Sequence, residues 1–257
     1  MVNKTNKYAL ILGGSSGLGL ATAHKLAKHG YNLILIYRAR RSDRDTLTQE
    51  FELMKSHNVS VTAFNKDALK TEVINEILTE LNDIKISVLV HSIAKGTLKP
   101  LLNEANQTLT KEDLDITIHA MGTSWWQWTR AIIDNNMFAS DVRNIAFTSE
   151  GNNTVWQGYG AVSAAKVTLE ALMRQMAIEL APLGIKTNCI QAGATQTLSF
   201  KMIPGNEHIA EMSLKRNPFN RMTTPEDVAN SVYLLCKDEA NWINGNVLKV
   251  DGGESLR

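Results

Sequence analysis

Short apolar runs of strand length alternate with helix-periodic segments along almost the whole chain, and that alternation leaves few folds open. Tyr8 to Leu12 and Leu33 to Tyr37 are continuous apolar runs; Val59 to Phe64, Val88 to Val90, Val142 to Phe147, Ile185 to Ile190 and Val247 to Val250 follow. Between the first two, Leu18, Ala21, Ala23, Leu26 and Ala27 recur at roughly helical spacing and stop at Gly30. A polar helical stretch runs from about Asp43 to His57. Strands apolar on both faces must be covered on both, and the interleaved helices supply the cover. The expected fold class is α/β, a doubly wound parallel sheet.

Nothing in the composition competes with this reading. At 257 residues and 44% apolar content the chain can bury a large core without disulfides or a structural metal. The 27 Lys and Arg nearly cancel the 26 Asp and Glu, so neither a polycationic nucleic-acid binder nor a membrane-attracted protein is expected. No apolar run approaches the ~20 residues of a membrane span. Met1 to Lys7 is polar, so no signal peptide is expected, and Cys189 and Cys236 read as buried thiols in a reducing, cytoplasmic setting. The six His fall at no metal-ligand spacing, and no metal is expected. Two long irregular stretches, 92–110 and 194–223, follow strands, where ligands bind in open α/β sheets. The second is the expected substrate loop. Thr224, Pro225 and Asp227 have the pattern of a capped helix start.

Gly13-Gly14-Ser15-Ser16-Gly17-Leu18-Gly19 lies where the first strand feeds the first helix. Glycines there allow a sharp turn and close approach to a pyrophosphate, which the free helical amides bind. A tight turn with close helix packing would use glycines too, but the strand before and helix after favour a dinucleotide. The second strand runs into Tyr37-Arg38-Ala39-Arg40-Arg41, with no carboxylate until Asp43. Arg38, Arg40 and Arg41 suit a 2′-phosphate, so NADPH is expected over NADH; the alternative is a solvated charged loop.

The glycine spacing resembles that of the short-chain dehydrogenase/reductase family, with Leu12 where the family usually has Thr. The resemblance implies a single Rossmann-type domain over 1–257, since matching motifs run from Gly13 to Gly253. In that family a Tyr protonates the substrate oxygen and a Lys four residues later binds the nicotinamide ribose and lowers the Tyr pKa. Four residues before Lys166 stands Val162; the nearby phenol is Tyr159, seven residues before the lysine. Two helical turns leave both on one face, with the hydroxyl displaced ~4.5 Å toward the N-terminus relative to the usual pair. Such a displacement suits an enoyl thioester, where hydride reaches the β-carbon and charge develops on a carbonyl oxygen two carbons away.

Tyr-x6-Lys is the arrangement of the enoyl-acyl-carrier-protein reductases within the family. His91-Ser92-Ile93-Ala94 and Asn188 to Thr197 are similar to their segments, whereas the glycine turn matches general short-chain enzymes. The mixture most resembles the NADPH-preferring type III reductases. It implies fatty-acid synthesis, a small-molecule or carrier-protein-bound acyl thioester as substrate, and a homotetramer, with a dimer as alternative. The catalytic set implied is Tyr159, Lys166 and Ser149. Cofactor contacts are expected from Gly13, Ser15, Ser16, Gly17, Leu18 and Gly19, from the three arginines, and from Asp67 and Ala68 beside the adenine. Ser92, Ile93, Ala94, Lys166, Gly193, Thr195 and Thr197 complete that set.

Ser149 stands where many enoyl reductases have an aromatic residue and ordinary short-chain enzymes their catalytic Ser; it either bonds the substrate or satisfies backbone. His119 replaces the usual helix-kinking Asn. Trp125, Trp126 and Trp128 read as core plus subunit contact, Trp156 as an acyl-chain contact, and Leu198 to Met212 as an apolar lid. A carbonyl or 3-oxoacyl reductase or alcohol dehydrogenase of the short-chain family, and a non-catalytic nucleotide sensor on the same fold, remain the alternatives.

Overall fold

Leu10 and Leu12 of the first strand face one core while Ala9 and Ile11 face another, so a single sheet is buried on both sides. This arrangement is seen in a computed structural model that describes residues 7–103 and 107–257. The polar segment 1–6 and residues 104–106 of the first long loop lie outside the described residues.

Seven strands form the sheet: β1 (Tyr8–Leu12), β2 (Asn32–Tyr37), β3 (Val61–Asn65), β4 (Ile86–His91), β5 (Phe138–Ser149), β6 (Ile185–Ala192) and β7 (Val247–Val250). Their order is β3-β2-β1-β4-β5-β6-β7, and the neighbouring pairs are parallel. This is the doubly wound α/β sheet the alternation called for. The longer helices are α1 (Gly17–Lys28), α2 (Arg44–Lys55), α3 (Thr71–Glu80), α4 (Lys111–Ile118), α5 (Ser124–Asp134) and α6 (Gly160–Glu179). They are followed by α7 (Leu198–Lys201), α8 (Asn206–Arg216) and α9 (Pro225–Leu235).

Helices α3, α5 and α6 bury Ile74, Ile77, Trp125, Trp128, Leu169 and Met173 against one face of the sheet. On the other, α1 and α9 contribute Ala23, Leu26, Val228 and Val232. Trp125 and Trp128 are fully buried, and their indole N–H groups donate to Asn144 Oδ1 at 2.6 Å and to the Ala68 carbonyl at 2.8 Å. Both therefore serve the core with their polar atoms satisfied. Helix α9 starts as its sequence indicates: Thr224 Oγ1 accepts from the Asp227 amide, and the Asp227 carboxylate accepts from the Thr224 amide.

The stretch 194–223 departs from the expectation of an irregular loop, because it contains α7 and α8. Pro204 and Gly205 separate them; the pair reads as a breaker, yet each flank forms its own helix. Thr197 starts α7 by accepting from the Phe200 amide. Both cysteines are buried free thiols. Among the described residues no helix is long and apolar enough to cross a membrane.

Candidate active site

The strand order reverses at β1, which lies between β2 and β4, and a crevice opens there beyond the strand ends. The glycine turn sits in it. The Gly13 amide donates to the Ile36 carbonyl, and the Ser92 amide donates to the Leu12 carbonyl, both at 2.8 Å. Gly13 has φ +87°, and a Cβ on it would lie 2.3 Å from the Ser92 carbonyl oxygen. A Cβ on Gly19 would lie 2.2 Å from the Gly13 carbonyl oxygen. Only glycine allows the turn to pass this close to β4 and α1 to sit this close to the turn.

A cavity of about 580 Å³ occupies the crevice. Gly13, Ser15, Ser16, Gly17 and Leu18 line it from the turn, and Ser92, Ile93 and Ala94 from the end of β4. Asp67, Ala68, Lys166 and Thr197 also face it. Gly19, Gly193 and Thr195, also expected to touch the cofactor, do not line this cavity. Gly19 is not on the wall; its closeness to Gly13 makes it a packing glycine. Gly193 and Thr195 line a neighbouring cavity instead, because the Thr195 hydroxyl turns back to donate to the Gly193 carbonyl at 2.8 Å.

Arg38 and Arg40 line the far end of the crevice, whereas Arg41 opens a short 3₁₀ turn (Arg41–Asp43), is exposed, and is not part of the wall. Arg38 Nη1 pairs with Asp67 Oδ2 at 3.2 Å, and Asp67 Oδ1 accepts from the Leu69 amide at 3.1 Å. Lys66, which sequence reading overlooked, lines the same wall, its ammonium paired with Glu76 Oε1 at 2.6 Å. Its signal was its place next to Asp67 at the end of β3.

Tyr159 caps the N-terminus of α6, so its phenol projects from the helix start rather than from its first turns. The hydroxyl lies 3.4 Å from Ser149 Oγ at the end of β5, and the ring meets Trp156 edge-on at 5.3 Å. Ser149 thus pairs with the phenol. Burial raises the Tyr159 pKa above its ordinary value, and the Ser149 hydrogen bond partly offsets that. Lys166 is buried, and its Nζ donates to the Phe147 carbonyl at 2.7 Å. Burial pushes its pKa down to about 8, against the opposing influence of Cys189 and Glu170. Val162, one turn before Lys166, is buried against Tyr159 and Ala165.

His119 opens a five-residue π-helical turn, His119–Thr123, between α4 and α5. Its ring nitrogens are within hydrogen-bonding distance of Thr123 Oγ1 at 3.4 Å and the Leu69 carbonyl at 3.3 Å. The imidazole braces the turn.

The neighbouring cavity is larger, about 1100 Å³. Tyr159, Ser149, Trp156, Val162 and Met121 form one side. Phe200, Met202, Ile203, Ile209 and Met212 of the expected lid form another, and the Glu150–Arg216 ion pair stands on its wall at 2.5 Å. Tyr159, Thr148 and Thr197 border both cavities, so the phenol stands where they meet.

The crevice fits a dinucleotide: glycine backbone lies open at a helix N-terminus, a cationic corner lies beyond β2, and a buried lysine faces the other end. On the wall between, buried His91 Nδ1 has no hydrogen-bond partner. Fold and site together define a nicotinamide-dependent oxidoreductase. The family model described as enoyl-(acyl carrier protein) reductase matches residues 13–255, and the chain belongs to that family of short-chain dehydrogenases/reductases. A tropinone reductase homolog from Arabidopsis thaliana is 25% identical over 96% of this chain and 91% of that protein. The enoyl-[acyl-carrier-protein] reductase (NADH) of Aquifex aeolicus superposes with a TM-score of 0.83 at 24% identity, covering 98% of this chain and 97% of that one. A Burkholderia cenocepacia short chain dehydrogenase in complex with NADP superposes with a TM-score of 0.82 at 22% identity, covering 98% and 99%. At those identities the two structures testify to the fold alone.

Proposed function

We propose that this chain is an NADPH-dependent reductase of 2-enoyl thioesters. The observation that carries the reading is the placement of Tyr159, two turns before Lys166, with Val162 buried one turn before the lysine. Val162 has no proton to give, and the phenol stands at the junction with a large, mainly apolar cavity.

When bound, the reduced nicotinamide supplies the hydride. Lys166 holds the ribose hydroxyls, and the glycine turn holds the pyrophosphate. The substrate's β-carbon receives the hydride, and negative charge develops on the thioester carbonyl oxygen. Tyr159 donates its O–H to that oxygen, with Ser149 fixing the phenol's direction. The α-carbon then takes one proton from solvent as the enolate carbonyl re-forms, the Tyr159 O–H keeping its own proton, to give the saturated thioester. Arg38, Arg40 and Lys66 support a 2′-phosphate, hence NADPH over NADH.

The acyl chain lies among Trp156 and the lid residues of α7 and α8. Fatty-acid synthesis and a coenzyme A or carrier-protein thioester follow from this reading, as does a cytoplasmic setting for the two reduced thiols. Val167 and Ile178 are exposed on α6 and support packing against further copies in a homotetramer or dimer.

The Ser149–Tyr159 contact also favours a second reading, a carbonyl or 3-oxoacyl reductase, because such a pair can polarise a ketone oxygen. Nicotinamide absorbance followed with NADPH and, in parallel, a 2-enoyl thioester, a 3-oxoacyl thioester and a simple ketone separates the two. Consumption with the enoyl thioester is expected; consumption with the ketones alone would establish the second reading instead.

A further inference from the structure

Two successive turns of α6 grip three consecutive stretches of the chain around Ser149. Lys166 donates to the Phe147 carbonyl, and one turn later Glu170 reaches the next residue of that strand end. Glu170 Oε1 accepts from Thr148 Oγ1 and from Asn152 Nδ2, each at 2.5 Å. Thr148 precedes Ser149, and Asn152 ends the 3₁₀ turn Glu150–Asn152 that follows it. One carboxylate oxygen therefore spans Ser149, Glu150 and Gly151 from both ends.

We infer that Glu170 is a positioning residue: from α6 it clamps the end of β5 on both sides of Ser149, so that Ser149 Oγ meets the Tyr159 hydroxyl. The inference rests on the assignment of Tyr159, Ser149 and Lys166 to the reacting end of the site, and not on which substrate is reduced. Nothing in the family's Tyr-x6-Lys pattern points to it, because the clamp runs from α6 to residues 18 and 22 positions earlier.

Glu170→Gln keeps an acceptor oxygen, Glu170→Ala removes it, and Thr148→Val breaks one clamp bond. The decisive readout needs no substrate: titration of the Tyr159 phenol by NMR in protein carrying 13Cζ-labelled tyrosine. The Ser149 hydrogen bond holds the pKa of that phenol down, so Glu170→Ala should raise the midpoint as Ser149→Ala does, Thr148→Val should raise it less, and Glu170→Gln should stay near wild type. For whichever thioester or ketone the wild type reduces, kcat should fall about tenfold in Glu170→Ala, roughly the worth of a broken charge-assisted hydrogen bond, and less in Glu170→Gln, with KM for NADPH little changed. A Tyr159 midpoint that Ser149→Ala moves and Glu170→Ala does not overturns the clamp, as does equal kcat in Glu170→Ala and wild type. A wild type that reduces none of the substrates defeats the proposed function, yet the Tyr159 titration still decides this one.

Discussion

The Tyr159 hydroxyl and Ser149 Oγ, 3.4 Å apart, join the start of α6 to the end of β5 where the cofactor crevice meets the apolar cavity. Ser149 lies ten residues before the phenol and seventeen before Lys166, so the pair forms although the phenol has moved along α6. If Tyr159 donates to the substrate oxygen, Tyr159→Phe should lose about 10²- to 10⁴-fold in kcat, the usual worth of a positioned acid. Ser149→Ala, which removes one hydrogen bond, should lose on the order of tenfold. NADPH affinity, measured by fluorescence titration, should be unchanged in both.

Burying the Lys166 ammonium costs the folded protein stability. Its folded pKa of about 8 lies below its ordinary value of 10.5, so the folded state disfavours the charged form. The destabilisation is fully present below pH 8 and disappears as pH rises toward 10.5. Lys166→Met should therefore stabilise the cofactor-free protein by about 2 kcal/mol at pH 7. Urea unfolding at pH 7 and pH 9.5 should show that gain shrinking at the higher pH.

The cationic corner beyond β2 makes a prediction about the nucleotide. Arg38→Ala should weaken NADPH binding by about tenfold, the loss of one charge-assisted contact, and leave NADH binding nearly unchanged. Arg41→Ala should change neither, because Arg41 stands off the crevice wall. Calorimetric titration of the two nucleotides checks both.

Gly19 separates packing from contact. A methyl group there meets the Gly13 carbonyl oxygen at 2.2 Å, so Gly19→Ala must push α1 away from the turn. A stability loss of roughly 2 kcal/mol and a marked loss of NADPH affinity are expected, the first read from thermal unfolding and the second from titration.

Most of the sheet was legible in the chain itself. The bounds of β1 and β7 coincide with their apolar runs, because those runs end abruptly at Gly13 and Asp251. By contrast, β5 begins four residues before the run that announces it, since Ala139, Ser140 and Asp141 carry no apolar pattern and lie in the register shift between the Phe138 and Arg143 pairings with β4. The lid helices escaped notice because α7 is a single turn and α8 has a weak apolar stripe, both held by their place over the cavity. Tyr159, Lys166 and the glycine turn were readable from local spacing. Lys66, the inward turn of Thr195 and the Glu170 clamp were not, since each depends on contacts or cavity walls brought together by the folded sheet.

Where the hydride lands tests the proposed chemistry most directly. NADPH carrying deuterium in place of the transferred hydrogen should be consumed with a 2-enoyl thioester, and the saturated product should carry one deuterium on the β-carbon by mass spectrometry and NMR. Failure to reduce the enoyl thioester, with deuterium instead appearing on the carbinol carbon of a reduced ketone or 3-oxoacyl thioester, would contradict the enoyl reading and place Tyr159 as the acid of a carbonyl reductase.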